Sequence, residues 1–313
     1  MKILELIKKR FLWIVFPTIF FYVLLIFVSD VGEISKHFLE IKIEYLILIF
    51  LLVFLSHIVK SFRQKELLRL LGEKISLIQN VIIYMAGLTL INTPGGVGTF
   101  IKSVYLKKRF QVTTEKSIAV IFLERYHDLF AGTCIIFVSI LIYFSLISIS
   151  LVVISSAILV GTYILISNRN FSGLIYDKLS KIKFISQIMP DIRPSESFSI
   201  LTSPINMTKG WLFSILGWGI DSLAVYAVFL SLNVDLGYLL TSQIYFTSLG
   251  YGVLSLLPGG IGVNESIADF LLLQRGLELS IASSLVILTR LCTVWFVTII
   301  GVIFTRITLK QKI

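Results

Sequence analysis

Charged side chains interrupt the apolar stretches of this 313-residue chain at only a few places. Glu124, Arg125, His127 and Asp128 stand together in FLERYHDLF, Asp221 breaks GWGIDSLAV, and Arg290 breaks VILTRLCTV. Glu265 and Asp269 follow a Pro-Gly-Gly at helical i, i+4 spacing. In a helix Glu124 and Asp128 share one face, and Arg125 lies about 100° round from Glu124. An ionised group in hydrocarbon costs about 2.5–3.5 kcal/mol on insertion scales, so such groups turn inward and pair or meet a ligand. Arginine keeps its proton at any accessible pH, so Arg125 and Arg290 each need a permanent anionic partner or ligand.

Two glycine turns, TPGGVGTF and LPGGIGVNES, add a second kind of chemistry. A new helix is expected to begin after Gly95, Gly96 and Gly98, and another after Gly259, Gly260 and Gly262. The first N–H groups of a helix lack internal partners and carry partial positive charge. Glycine lets an anion approach that backbone closely. With Arg125, Arg290 and Lys102 beside them, the two turns would form a phosphate cradle. Glu124, Asp128, Asp221 and Glu265 would then hold the arginines or take part in proton coupling. The competing reading is purely structural. The glycines then permit a kink and close packing, the charges lock helices together, and Glu265 stabilises a helix start.

Other chemistries find no support in the residues. There is no Ser-His-Asp set, metalloprotease motif or P-loop, so no catalytic residue, metal ligand or cofactor is assigned. Cys134 and Cys292 lie in apolar runs and read as small hydrophobes. His127 reads as an interior histidine, and His37 and His57 carry no assigned role.

Composition says what must position these groups. The chain is 56% hydrophobic and 15% charged, with a mean hydropathy of +0.93, against about 45–50% apolar and ~25% charged for soluble domains. That excess must face lipid, so the fold class is an all-α polytopic membrane protein. Spanning helices of about 20 residues are expected at Phe11–Val28, Tyr45–Val59, Ser117–Phe144, Ser148–Ser167, Trp211–Leu232 and Ile281–Thr305. The net charge of +10 collects at 1–10, 60–75, 102–116, 168–210 and 306–313. Placing those stretches in the cytoplasm satisfies the positive-inside rule, puts both termini there and removes any need for nucleic acid as a partner.

With 60–75 and 102–116 both cytoplasmic, the segment between them can cross outward but not return as a full pair. A re-entrant hairpin at 76–101 follows, and one entering from the other side at 238–275. The Pro-Gly-Gly elements at Pro94 and Pro258 are 164 residues apart. Gly96 precedes Arg125 by 29 residues and Gly260 precedes Arg290 by 30, and SIA recurs at Ser117 and Ser280. The expected organisation is one transmembrane domain over 1–313, built as an inverted repeat. It comprises an anchor and outside loop (1–44), a first half (45–167), a basic amphipathic linker (168–210) and a second half (211–313). Gly/Pro-interrupted segments at matching positions point to a midplane substrate site.

NTPGGVGTFIK (Asn92–Lys102), ERYHD (Glu124–Asp128) and LPGGIGVNE (Leu257–Glu265) resemble the lysylphosphatidylglycerol synthase transmembrane-region family, also called flippase-like. The resemblance covers nearly the whole chain. It implies a protein related to the module that moves lysyl-phosphatidylglycerol between leaflets in bacterial synthase/flippases. Other relatives are associated with polyprenyl- or dolichol-phosphate-linked sugars. By position the match points to Pro94, Gly95, Gly98, Lys102, Glu124, Arg125, Asp128, Pro258, Gly259, Gly260, Gly262 and Glu265. The family often carries a basic residue where Gly96 stands and an acidic one where Thr99 stands, so the substrate of the better-known members does not carry over to this chain. The large soluble aminoacyl-transfer domain of the full synthases has no counterpart here, so no aminoacyl-transferase activity is expected.

The leading expectation is a flippase-like lipid transporter of the cell membrane, plasma or inner, that moves an anionic phospholipid or polyprenyl-phosphate headgroup between leaflets. Two other classes stay open. One is an intramembrane transferase on a polyprenyl-phosphate sugar, with Glu124 or Asp128 as general base. The other is a non-transporting subunit that positions a lipid- or glycosyl-transferase partner.

Overall fold

A computed structural model describes residues 31–167 and 195–310. The expected anchor Phe11–Val28 and most of the linker 168–210 lie outside the described residues. Within them the chain forms helices and short turns and no strand. In chain order the helices are α1 (Val31–Leu39), α2 (Ile43–Leu70), α3 (Leu77–Gly87), α4 (Ile101–Phe110), α5 (Thr114–Ile140) and α6 (Leu146–Ser167). There follow α7 (Ser195–Leu201), α8 (Pro204–Ser231), α9 (Tyr238–Leu254), α10 (Val263–Leu273), α11 (Leu279–Arg290) and, after a π turn at Leu291–Trp295, α12 (Phe296–Lys310). Four stretches are long and apolar enough to cross a membrane: α2, α6, α8 and the continuous rod Leu279–Lys310. This is a helical membrane protein. Helix α5, at 27 residues, has the length to cross as well, about 40 Å at 1.5 Å per residue, but carries the charged cluster at its middle.

Helix α2 runs past the expected boundary at Val59, as far as Leu70. Neither Gly nor Pro interrupts the chain until Gly72, where φ is 83°. The inward stripe Ile49, Val53, Ser56, His57, Lys60, Arg63, Gln64, Leu67 and Leu68 keeps helical spacing throughout and is buried. Ile47, Leu51 and Leu55 on the other face are exposed, as lipid contact requires. Helix α8 begins at Pro204, where a missing N–H costs nothing. Its buried side is small, with Gly210, Ser214, Gly217 and Ala224, which lets α2 and α8 lie close along their length.

The first helical hairpin is longer than the expected 76–101. Helix α3 continues through a 3₁₀ turn to Leu90, the chain turns at Pro94–Phe100, and α4 returns as far as Phe110. Residues 101–110 contain no breaker, and Lys107, Lys108 and Arg109 sit in the last turn, where the helix dipole favours cations. Lys102 therefore lies inside a packed limb instead of a basic loop. The second hairpin, α9 and α10 about Pro258–Gly260, falls within the expected 238–275. The stretch 29–44, expected as a loop, contains α1, which packs against α11.

The two turns pack against each other. A methyl group added to Gly95 would lie 3.8 Å from Leu256, and one on Gly259 would lie 3.5 Å from Asn92. Each hairpin is also clasped by elements distant in the chain. Helix α3 and the turn after it lie on α12, and α9 lies on α5 and α6. The α3–α12 approach is backbone to backbone, since a methyl on Gly301 would meet Thr89 N at 2.3 Å. Thr89 and Thr305 join their hydroxyls across it at 2.8 Å.

Candidate functional site

Along the inner face of α2, α4, α5 and α8 the buried charges form a ladder of three pairs. Lys60 of α2 donates to Asp221 of α8, which also accepts from Ser56 at 2.6 Å. The Lys60 ammonium lies 3.3 Å from the centre of the Trp218 ring, a cation–π contact. Arg63 donates to Asp128 of α5 at 2.6 Å and to Ser214, and Trp218 Nε1 donates to the same Asp128 oxygen at 2.8 Å. Lys102 of α4 donates to Glu124 of α5 and to Gln64 at 2.9 Å. Gln64 in turn donates to Asn80 at 2.9 Å, and Asn80 donates to the Ser61 carbonyl at 2.7 Å. Three cations meet three carboxylates, so the ladder is neutral, as burial in low dielectric requires.

Arg125 is the cation left over. Its Nη2 lies 3.1 Å from Asp128 Oδ2, on the carboxylate that Arg63 already holds, and its side chain is 31% exposed. Around it the ladder keeps unspent hydrogen-bonding capacity among the described residues. Arg63 Nε and Nη2, Arg125 Nε and Glu124 Oε1 are buried without a partner. Two guanidinium groups with free N–H edges flank one carboxylate, which is an arrangement able to take a further oxyanion.

Three glycines make room for these side chains. A methyl on Gly217 would sit 2.7 Å from Lys60 Cγ, one on Gly87 2.3 Å from Lys102 Cγ, and one on Gly210 2.1 Å from the His127 ring. Each bulky polar side chain thus lies in a slot that only hydrogen leaves open.

The second turn carries its own ion pair. Arg290 Nε donates to Glu265 Oε1 at 2.9 Å, and Arg290 Nη2 donates to the Gly259 carbonyl. Glu265 Oε2 accepts from the Gly262 backbone N–H at 2.7 Å, closing the start of α10. An anion supplied by the chain itself therefore sits at that helix start. At the first turn Gly98 N–H donates to Thr93 Oγ1 at 2.5 Å, and Gly96 N–H donates to the Thr93 carbonyl at 2.8 Å. Gly95, Gly96, Gly259, Gly260 and Gly262 all have positive φ, which β-carbons disfavour. A π turn follows Arg290 directly, a distortion frequent at functional positions.

Of the residues singled out in the sequence, the structure brings Lys102, Glu124, Arg125, Asp128 and Asp221 into or beside one ladder, and Glu265 with Arg290 beside the second turn. Asp128 and Glu265 hold arginines. Glu124 and Asp221 hold lysines instead. Lys60, Arg63 and Gln64 were missed because the positive-inside count assigned 60–75 to a basic loop, and Asn80 because it is an uncharged residue within the expected hairpin 76–101. The detectable signal was the unbroken helical spacing of His57, Lys60, Arg63, Gln64 and Leu67 after the apolar run.

Comparison with known sequences supplies the family. The profile of the lysylphosphatidylglycerol synthase TM region matches residues 14–301. A UPF0104 membrane protein of Pyrococcus horikoshii is 24% identical over 94% of this chain and 95% of its own. One from Methanocaldococcus jannaschii is 24% identical over 98% of this chain and 97% of its own, and a second from that organism is 26% identical over 67% and 89%. The chain is a membrane protein belonging to the lysylphosphatidylglycerol synthase TM region family.

Proposed function

We propose that this protein is a flippase-like transporter that carries an anionic lipid headgroup, of a phospholipid or a polyprenyl phosphate, between the leaflets of the cell membrane. The observation that carries this reading is the surplus cation. Arg125 is about one-third exposed beside a neutral buried ladder, and it and Arg63 retain unspent N–H groups. A headgroup phosphate fits there as the missing anion. The contact between the two glycine turns supports a single route passing both, with Lys102 and the Arg290–Glu265 pair at its sides.

In this proposal the two hairpins are re-entrant, the halves 45–167 and 211–313 form an inverted repeat within one transmembrane unit, and both termini are cytoplasmic. The halves rock about the turns to expose the site alternately. Glu124, Asp128, Asp221 and Glu265 hold the cations in place, and a lipid- or glycosyl-transferase is the natural partner that supplies or consumes the lipid. The test uses the purified protein in liposomes holding a fluorescent anionic phospholipid, read by chemical quenching of the outer leaflet. Wild type should speed equilibration between leaflets, and Arg125→Ala should abolish that while melting like wild type. Equal movement by both proteins overturns the reading.

A further inference from the structure

A cavity of about 30 Å³ lies inside the second half, walled by α8, α9, α10, α11 and the π turn. One water molecule takes roughly 10–15 Å³ of such space, so there is room for two. The polar part of the wall is Tyr245, Ser248, Asn264, Thr289, Arg290 and Thr293. Ser248 Oγ donates to the Tyr245 carbonyl at 2.9 Å and Thr293 Oγ1 to the Thr289 carbonyl at 2.6 Å, so both oxygens can still accept. Asn264 is 5% exposed and Thr289 8%, and neither side chain makes a hydrogen bond among the described residues. Asn264 is held there by close packing, since a methyl on Gly252 of α9 would lie 3.2 Å from its Cβ. A buried carboxamide or hydroxyl without a protein partner is normally answered by ordered water.

We infer that the cavity is a hydration chamber beside Arg290, holding two ordered waters bound by the Asn264 carboxamide, the Thr289 hydroxyl and the accepting oxygens of Ser248 and Thr293. Charge decides for water over an ion. Arg290 is already balanced by Glu265, so an added anion would leave net negative charge in low dielectric, and a cation would sit against a guanidinium. The rest of the wall agrees, because Val225, Phe229 and Leu272 give a dehydrated ion nothing to bind. The waters tie the start of α10 to the end of α11, the two helices that carry Glu265 and Arg290. They also lower the cost of parting that pair, because a guanidinium beside water is not left wholly desolvated. Use of that freedom to take a headgroup phosphate at Arg290 rests on the transport proposal, whereas the occupancy does not.

The experiment is hydroxyl-radical footprinting by X-ray pulses on the purified full chain in mild detergent, read by mass spectrometry. The radicals form from water, so a side chain deep in the bundle is oxidised only where bound water touches it. Phe229 is 4% exposed and lines the cavity, whereas Phe246, also 4% exposed, does not line it. Wild type should show oxidised Phe229 and unoxidised Phe246. Asn264→Leu combined with Thr289→Val removes the polar groups at nearly constant shape and should bring Phe229 down to the level of Phe246. Thr289→Val alone serves if the double variant fails to fold, and should lower Phe229 oxidation. Unoxidised Phe229 in wild type overturns the inference, and so does oxidation that a folded variant leaves unchanged. Anomalous scattering from bromide in the cavity, in crystals grown with bromide, would show an anion instead and overturn it as well. Arg125→Ala should label as wild type does, so failure of the transport proposal leaves this result legible.

Discussion

Asp221→Asn isolates the charge on Lys60 with little change of shape. The amide oxygen can still accept from Ser56, whose bond to Asp221 is 2.6 Å, so that contribution, about 1 kcal/mol, is kept. What is lost is the counter-ion of an ammonium only 1% exposed. Stranding one member of a buried pair costs about 3–5 kcal/mol, and an uncompensated lysine at a helix centre in hydrocarbon costs about 2.5–3.5 kcal/mol on insertion scales. The Trp218 face, 3.3 Å from the ammonium, is present in wild type and variant alike, so the net loss stays at about 3 kcal/mol. Lys60→Met/Asp221→Asn removes both charges and should lie within about 1 kcal/mol of wild type. The assay is equilibrium unfolding in mixed micelles across wild type, both single variants and the double variant. If Asp221→Asn unfolds with wild type, or the double variant is no more stable than Asp221→Asn, the pair does not neutralise a buried charge and the ladder account fails.

Arg125→Ala should change stability by less than about 1 kcal/mol, because the side chain is partly exposed and shares Asp128 with Arg63, while abolishing lipid movement in the liposome assay. Gly210→Ala should destabilise by about 1–3 kcal/mol, since the methyl would fall 2.1 Å from His127; restoration by His127→Ala in the same chain, seen as recovered melting temperature, would confirm the slot. Glu265→Gln should cost about 3 kcal/mol by unfolding titration, because it removes the carboxylate from Arg290 and from the start of α10 together. Gly301→Ala should lower thermal stability by a margin corresponding to about 1–3 kcal/mol, because its methyl meets the Thr89 backbone, which cannot swing aside as a side chain can.

The sequence carried the helical membrane class and the two glycine turns plainly, because apolar excess and Pro-Gly-Gly leave few alternatives. It also carried the carboxylates Glu124, Asp128, Asp221 and Glu265, each conspicuous within an apolar run. Lys60 and Arg63 were hidden by their surroundings. They begin a stretch in which Lys65, Arg69 and Lys74 follow, and a charge count cannot separate buried members of such a stretch from exposed ones. Only the uninterrupted helix from Ile43 to Leu70 does so. Lys102 was assigned to a phosphate because spacing shows no tertiary partner. Its pairing with Glu124 needs the return limb α4 to lie against α5. The Thr93 and Glu265 side chains that meet the turn backbones are local, and of the two only Glu265 had a readable signature, three residues after a glycine at a helix start.

The clasp between α3 and α12 sets an order of events during synthesis. The surface of α3 that meets Gly301, Thr305 and the rest of α12 has no counterpart until the ribosome has made about two hundred further residues. In the interval Thr89 and the buried polar groups of the first hairpin must wait in contact with lipid, translocon or each other. The chain therefore closes like a buckle, with α12 completing a contact whose other wall, α3, was made long before it. A fragment ending at Ser167 should insert but stay open and prone to degradation, and co-expressing 195–313 should rescue it by supplying the missing wall in trans.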